Sequence, residues 1–267
     1  METAWTQSPI GDSALEAIFA SDQDMYPVAA LSFQRFRSWV SAWPELSICF
    51  SAPAAHPPAT SGSPQLPLAG VIVVLPLRRA HWEDLLVGRI KEADIDAETM
   101  FPARLGAGVG DNSPHLVEEG GEEVGVHVFH IERFAALPEG GHVSTAATGM
   151  GATKKRFAEF ALDQVARRAA AIGRGARRWS IVGFSALTAT PAGKKTFERV
   201  GFTSTGYREI LFSRSNAKPT ENDREAPSSR EIEMLCLYPG ERTGERPVDM
   251  VGKDCTIVSS SEMAVRR

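Results

Sequence analysis

Residues Thr190 to Phe202, TPAGKKTFERVGF, spell out a short helix with both of its ends specified. Thr190 can cap the first turn through its hydroxyl, and Pro191 stands where a helix tolerates a missing N–H. Ala192 to Val200 follow with helix-compatible residues, and Gly201 takes the position of a C-cap glycine. Outward on each side the period changes. Trp179 to Ser185 (WSIVGFS) is a short apolar run of the kind found in buried strands, and Tyr207 to Phe212 alternates as a strand does. This strand–helix–strand unit is the anchor for reading the rest of the chain.

The same succession occurs upstream. Val124 to Ile131 (VGVHVFHI) predicts a strand, and Lys154 to Ala171 predicts a long helix with a stripe of Phe157, Phe160, Ala161, Val165 and Ala169. Leu46 to Phe50 and Gly70 to Leu77 predict neighbouring antiparallel strands, Ala80 to Ile90 a small inserted helix, and Glu231 to Tyr238 a closing strand. Tyr26 to Trp43 predicts a first helix, with Ser21 and Asp22 as N-cap candidates. The order implies an α/β fold with a mixed sheet.

Composition bounds the rest. With 267 residues, 43% of them hydrophobic and 23% charged, the chain suits one domain with a sizeable core. The expected organisation is a flexible N-terminus over residues 1–20, a folded domain over 21–238, and a disordered tail over 239–267. Within the domain, residues 51–67, 101–121 and 213–229 read as loops rich in Pro, Gly or polar residues. A net charge of −4 argues against a general nucleic-acid binder. Cys49, Cys236 and Cys255 have no metal-ligand spacing, so no metal is expected. No signal peptide or membrane-spanning run is read, which makes the cytoplasm the expected compartment.

The chemistry is expected where the strand ending near Ile131 leads toward the next helix. Residues 146–156 read AATGMGATKKR, with Gly149, Met150 and Gly151 running into Lys154, Lys155 and Arg156. Glycines let a backbone approach a ligand closely, and the free N–H groups of a first helical turn attract anions. Cations in that turn oppose the helix dipole by roughly 0.3–1 kcal/mol each unless an anion offsets them. A phosphate-binding loop and a solvated basic face are both open readings. A Walker-type loop is excluded, since Gly151 is followed by Ala152, and Gly193-Lys194 by a second lysine.

Three features in order resemble the GNAT superfamily of acyl-CoA N-acyltransferases. Phe197-Glu198-Arg199-Val200-Gly201-Phe202 is similar to the helix-ending pattern of that family. Gly149 and Gly151 match the glycines of its phosphate loop, with Ala146 where the family has a basic residue. His130-Ile131-Glu132 closes a strand similar to the one whose backbone pairs with pantetheine. The stretches FHIE and FSALTATPAGKKTFERVGF also resemble a fungal-type subgroup.

The resemblance implies a GNAT fold, with a mixed, mostly antiparallel central sheet flanked by helices. It also implies acetyl-CoA as cosubstrate and a primary amine as acceptor, joined in a ternary complex by direct attack. Expected cofactor contacts are the backbone at Ile131, residues Gly149, Met150, Gly151, Lys154, Lys155 and Arg156, and Ser185, Thr190 and Phe197. Candidates for proton transfer are His130, Glu123, Glu132 and Tyr207. Strand alternation would place His127 and His130 on opposite faces. Phe197 stands where the family commonly has a tyrosine and can donate no proton, so a GNAT-fold module that binds without catalysing is the alternative. If the glycine loop holds a phosphate, Gly149→Glu abolishes acetyl-CoA binding and leaves the fold intact; calorimetry showing unchanged affinity would refute the assignment.

Overall fold

The computed structural model describes residues 5–25, 31–51, 68–104, 121–134, 143–144, 154–172, 179–212, 229–237 and 255–258. Its strands are β1 (Thr6–Pro9), β2 (Ile48–Ser51), β3 (Leu68–Arg78), β4 (Glu122–Arg133), β5 (Val143–Ser144), β6 (Lys154–Lys155), β7 (Trp179–Thr188), β8 (Thr203–Phe212), β9 (Ser229–Leu237) and β10 (Cys255–Val258). Its helices are α1 (Asp12–Met25), α2 (Phe33–Ala42), α3 (Arg79–Leu86), α4 (Ala97–Met100), α5 (Phe157–Ile172) and α6 (Pro191–Arg199), with a 3-10 turn at Glu92–Asp94. One sheet runs in the order β1-β2-β3-β4-β7-β9-β8-β10, and β5 pairs with β6 separately. Neighbours in the large sheet are antiparallel except β4 with β7 and β8 with β10. The fold is therefore α/β, a mixed and mostly antiparallel sheet flanked by helices.

Each face of the sheet is closed by aromatic residues. On one face Phe36 and Trp39 of α2 pack on Phe129, with ring centroids 5.6 and 5.2 Å away. Trp82 of α3 lies on the same face over Gly125 and Gly183. On the other face Phe157 and Phe160 of α5 meet Phe50 at 5.5 and 5.6 Å. The long apolar run of β3 is buried from Ala69 to Leu77 because helices cover both sides of it.

Several elements differ from the sequence expectation. The helix expected over Tyr26–Trp43 is observed as the shorter α2, preceded by an unexpected helix α1, and residues 26–30 lie outside the described chain. Ser32, rather than Ser21 or Asp22, caps α2 by accepting from the Arg35 N–H. Ser21 and Asp22 belong to α1, with Asp22 buried. The first twenty residues hold β1 and most of α1, because Leu15 and Ile18 bury their side chains in the core. Cys255–Val258 adds an edge strand to β8. The helix expected from Lys154 starts at Phe157 instead, and Lys154–Lys155 pair with Val143–Ser144.

The most consequential difference is in β4. His130 pairs with Val73 and Val128 with Val74, leaving Phe129 as an extra, bulged residue. His127 pairs with Leu75, which shares a face with Val73. The bulge thus cancels the alternation, and His127 and His130 point to the same face.

Gly125 and Gly183 have a steric role on that face. A Cβ at Gly125 would stand 2.0 Å from Trp82 Cγ, and one at Gly183 would stand 2.6 Å from Trp82 Cη2. Gly125→Ala should destabilise the protein by about 1–3 kcal/mol through overpacking. Urea unfolding checks this, with a midpoint equal to that of the parent counting against the packing argument.

Candidate functional site

Parallel pairing of β4 with β7 runs from Glu122–Trp179 to Val128–Ala186. Beyond that rung β4 continues to Arg133 on its β3 side, while β7 continues to Thr188 against β9. The two central strands part there, and no described strand fills the gap on the β7 side of Phe129–Arg133. Adjacent α5 and α6 enclose a cleft of about 370 Å³ lined by Arg156, Ala158, Glu159, Thr196, Arg199 and Val200. Arg156 precedes α5, and its backbone N–H donates to Glu159 at 3.0 Å. Arg199 occupies the last turn of α6, where a cation also complements the helix dipole. Two guanidiniums against the one carboxylate of Glu159 leave the cleft with an excess of positive charge.

The face of β4 carrying both histidines holds a dense polar cluster. His130 is buried, with Nδ1 3.5 Å from Asp22 Oδ1 and Nε2 3.2 Å from Glu132 Oε2. Ser21 Oγ donates to the same Glu132 oxygen at 3.1 Å. His127 is completely enclosed, its Nδ1 2.8 Å from Ser185 Oγ and its Nε2 2.6 Å from Glu92 Oε1. His127 and Ser185 are partners across the parallel ladder, which explains their contact. Trp82 Nε1 donates to Ser185 Oγ at 2.8 Å. Tyr207, buried on β8, donates its hydroxyl to Glu209.

Burial sets the charge states in this cluster. It pushes the His127 imidazole down to about 3, so the ring is neutral at physiological pH. It pushes Glu92 well above the usual carboxylate range, and the neighbouring Glu209 and Asp22 carboxylates add to that. The Tyr207 phenol is raised far beyond its ordinary value by burial and then by Glu209. Tyr207 therefore remains protonated.

The expected site residues separate into groups. His130, Glu132 and Tyr207 come together with Glu92, Asp22 and Glu209. Glu123 does not join them. It pairs with Arg79 at 2.9 Å, seven residues before His130 on β4 and on the order of 20 Å along the strand. Ser185, expected at the cofactor, is fully buried and uses its hydroxyl on Trp82 and His127. Thr190 caps α6 by accepting from the Gly193 N–H at 3.0 Å. Phe197 is buried against Phe202, ring centroids 4.9 Å apart. Lys194, weighed as a phosphate ligand, is held by Glu233 and lies 3.8 Å from Glu198. Gly149, Met150 and Gly151 lie outside the described residues, as do the side chains of Lys154 and Lys155.

Glu92, Asp22, Glu209 and Arg199 were not selected from the sequence. Asp22 was legible only as a capping residue, and Glu92 sits in the polar run KEADID, which matches no motif. Arg199 belongs to the FERVGF pattern, but only the position of α6 beside α5 gives it a role. Among the described residues no group of His, Cys, Asp and Glu is arranged to hold a metal ion, and no helix is long and apolar enough to cross a membrane.

The structure is similar to that of Arabidopsis thaliana NAA60 in complex with acetyl-CoA, at 12% identity and a TM-score of 0.48, over 88% of this chain and 99% of that one. It is also similar to Chaetomium thermophilum Naa20 in complex with a bisubstrate analogue, at 9% identity and 0.46, over 95% and 96%. A third is the Drosophila melanogaster polyamine N-acetyltransferase, at 11% identity and 0.42, over 88% and 99%. No protein-family model matches the chain, and no curated protein does.

The buried, neutral His127 makes a prediction about acid stability. The unfolded state takes up a proton near pH 6.5, whereas the folded state resists until about 3. Stability from this group is therefore complete above about 6.5 and is lost as pH falls through that window. His127→Gln should show a shallower acid dependence than the parent in urea unfolding at pH 7, 6, 5 and 4. Parallel slopes for the two proteins would contradict the assignment.

Proposed function

We propose that the chain is an acyl-CoA N-acyltransferase of the GNAT type, passing an acetyl group from acetyl-CoA to a primary amine. The observation that carries this reading is the parting of β4 from β7 beyond Val128 and Ala186, together with a cleft between α5 and α6 lined by Arg156 and Arg199. A strand with an unpaired edge can receive an extended amide-bearing chain such as pantetheine through backbone hydrogen bonds. Guanidiniums bind phosphate oxygens by charge-assisted hydrogen bonds. Both features support acetyl-CoA as the cosubstrate.

The residues divide the work by location. Acetyl-CoA, when bound, supplies a thioester carbonyl as the electrophile. Backbone N–H groups near Ile131 on β4 would polarise such a carbonyl, and this needs no particular side chain. Arg156 and Arg199 hold the charged end of the cosubstrate. The amine must lose a proton before it attacks, and groups able to take one gather on the histidine-bearing face of β4. Phe197 supplies no acid, being apolar and packed on Phe202. A thiol with a reference pKa of about 8.5 can nevertheless leave as the thiolate at modest cost.

Thermal unfolding tests the cosubstrate directly. Acetyl-CoA at about 100 times its dissociation constant contributes about 2.7 kcal/mol. That should raise the midpoint by roughly 5–10 °C in a domain of this size. The shift should disappear in an Arg156→Glu/Arg199→Glu variant, and free adenosine should produce none. Thiol release on adding 1,4-diaminobutane or a peptide with a free N-terminus would then establish transfer. An unmoved midpoint at millimolar acetyl-CoA would overturn the reading.

A further inference from the structure

We propose that Glu92 is the group that takes the proton from the acceptor amine, and that Trp82, Ser185 and His127 position its carboxylate through a one-directional chain of hydrogen bonds. The proposal rests on the acetyl-transfer reading above and assigns to it a residue from outside the central sheet.

Donor chemistry fixes the first link of the chain. An indole N–H can only donate, so Ser185 Oγ must accept from Trp82. In the proposed direction the Ser185 hydroxyl donates its proton to His127 Nδ1, 2.8 Å away. A neutral ring accepting at Nδ1 carries its proton on Nε2, and that N–H faces Glu92 Oε1 at 2.6 Å. In this direction the chain ends on Glu92 as an acceptor, the ionised form in which it can take a proton. Each group behind Glu92 is enclosed, Trp82 at 1% exposure and His127 and Ser185 at 0%. The Glu92 side chain keeps 21% of its surface exposed. Its second oxygen has no hydrogen-bond partner among the described residues, and no described buried polar atom is left unpaired, so that oxygen is the exposed one.

Position supports the same role. The His127–Ser185 rung lies one step before Val128–Ala186, where the strands part, so the anchored carboxylate stands beside the mouth of the opening. The groups around it are Asp22 on α1, Glu209 and Tyr207 on β8, His127 and His130 on β4, and Asp94 on its own turn. Arg35 of α2 is committed to the carbonyl of Ala93. Burial, then Glu209 and Asp22, raise the proton affinity of Glu92, which suits a group that must take a proton from an ammonium. His130, in contrast, has both ring nitrogens against carboxylates.

In the reaction, one proton of the ammonium passes to Glu92. The freed amine lone pair forms the C–N bond to the acetyl carbon as the C–S bond breaks. The sulfur leaves as the thiolate and takes up the second proton lost by nitrogen, and Glu92 returns its proton to solvent.

Glu92→Gln keeps the size of the side chain and removes its basicity. It should lower kcat/KM for acetyl transfer to 1,4-diaminobutane or the free peptide by about 10²–10⁴-fold. The acidic limb of the parent pH profile should vanish with it, while the acetyl-CoA thermal shift stays unchanged. Ser185→Ala should reduce the rate and move that limb, with acetyl-CoA binding again retained. Long-range nitrogen–proton NMR on the resting protein reads the His127 tautomer directly and needs no turnover; Nε2–H is expected. A His127 proton on Nδ1, or a Glu92→Gln enzyme within threefold of the parent with the same limb, overturns the proposal while leaving the acetyl-CoA reading intact. A parent protein that fails to bind acetyl-CoA removes both.

Discussion

The arrangement of the polar face depends on one extra residue in β4. Phe129 is accommodated as a bulge opposite Val73 and Val74, and its ring is held by Phe36 and Trp39 of α2. Without it, the period of two would send His127 and His130 to opposite sides of the sheet. With it, two buried histidines and their carboxylates share a face. The β4–β7 ladder stops at the residue before the bulge. Bulges sharpen local twist and terminate pairing, so one insertion both gathers the ionisable groups and frees the strand edge beside them.

The second requirement is met by the segment between β3 and β4. Its helix α3 lays Trp82 across two glycines on adjacent strands, an approach that a side chain at either position would prevent. The turn that follows is tied to α2, since Trp39 Nε1 donates to the Ile95 carbonyl at 3.0 Å and Arg35 bonds the Ala93 carbonyl. Glu92 is therefore carried by a rigidly docked element. Its placement beside Glu209 and Asp22 is electrostatically costly, and the docking of Trp82 and Trp39 offsets that cost with buried apolar surface.

How much could be read from the sequence depends on the range of the interaction. The unit from Thr190 to Phe202 was legible because its signals are local: a capping hydroxyl, a proline in the first turn and a terminating glycine. The strands β3, β4 and β7 were legible as apolar runs, and so was the class of the sheet. The bulge was not, because VHVFHI alternates well enough to pass for a regular strand, and only pairing with β3 exposes the additional residue. The helix α1 was also missed, since Ser21 and Asp22 carry capping chemistry but are used inside it. For the candidate site, His130, Glu132, Tyr207 and Arg156 could be nominated from the expected strands and loop. Glu92 and Arg199 required knowledge of which elements touch, which no spacing encodes.

The position of β9 has a consequence for how the molecule is made. This strand lies between β7 and β8 yet follows both in the chain. During synthesis β8 emerges with no neighbour on that side, and Tyr207 and Glu209 cannot settle beside the β4–β7 core until residues 229–237 have left the ribosome and inserted between them. Pairings that join distant parts of a chain form late and expose unpaired edges in the meantime. The half of the polar face contributed by β8 is thus completed after translation has passed nearly all of the sheet, and the nascent chain carries an open central slot until then.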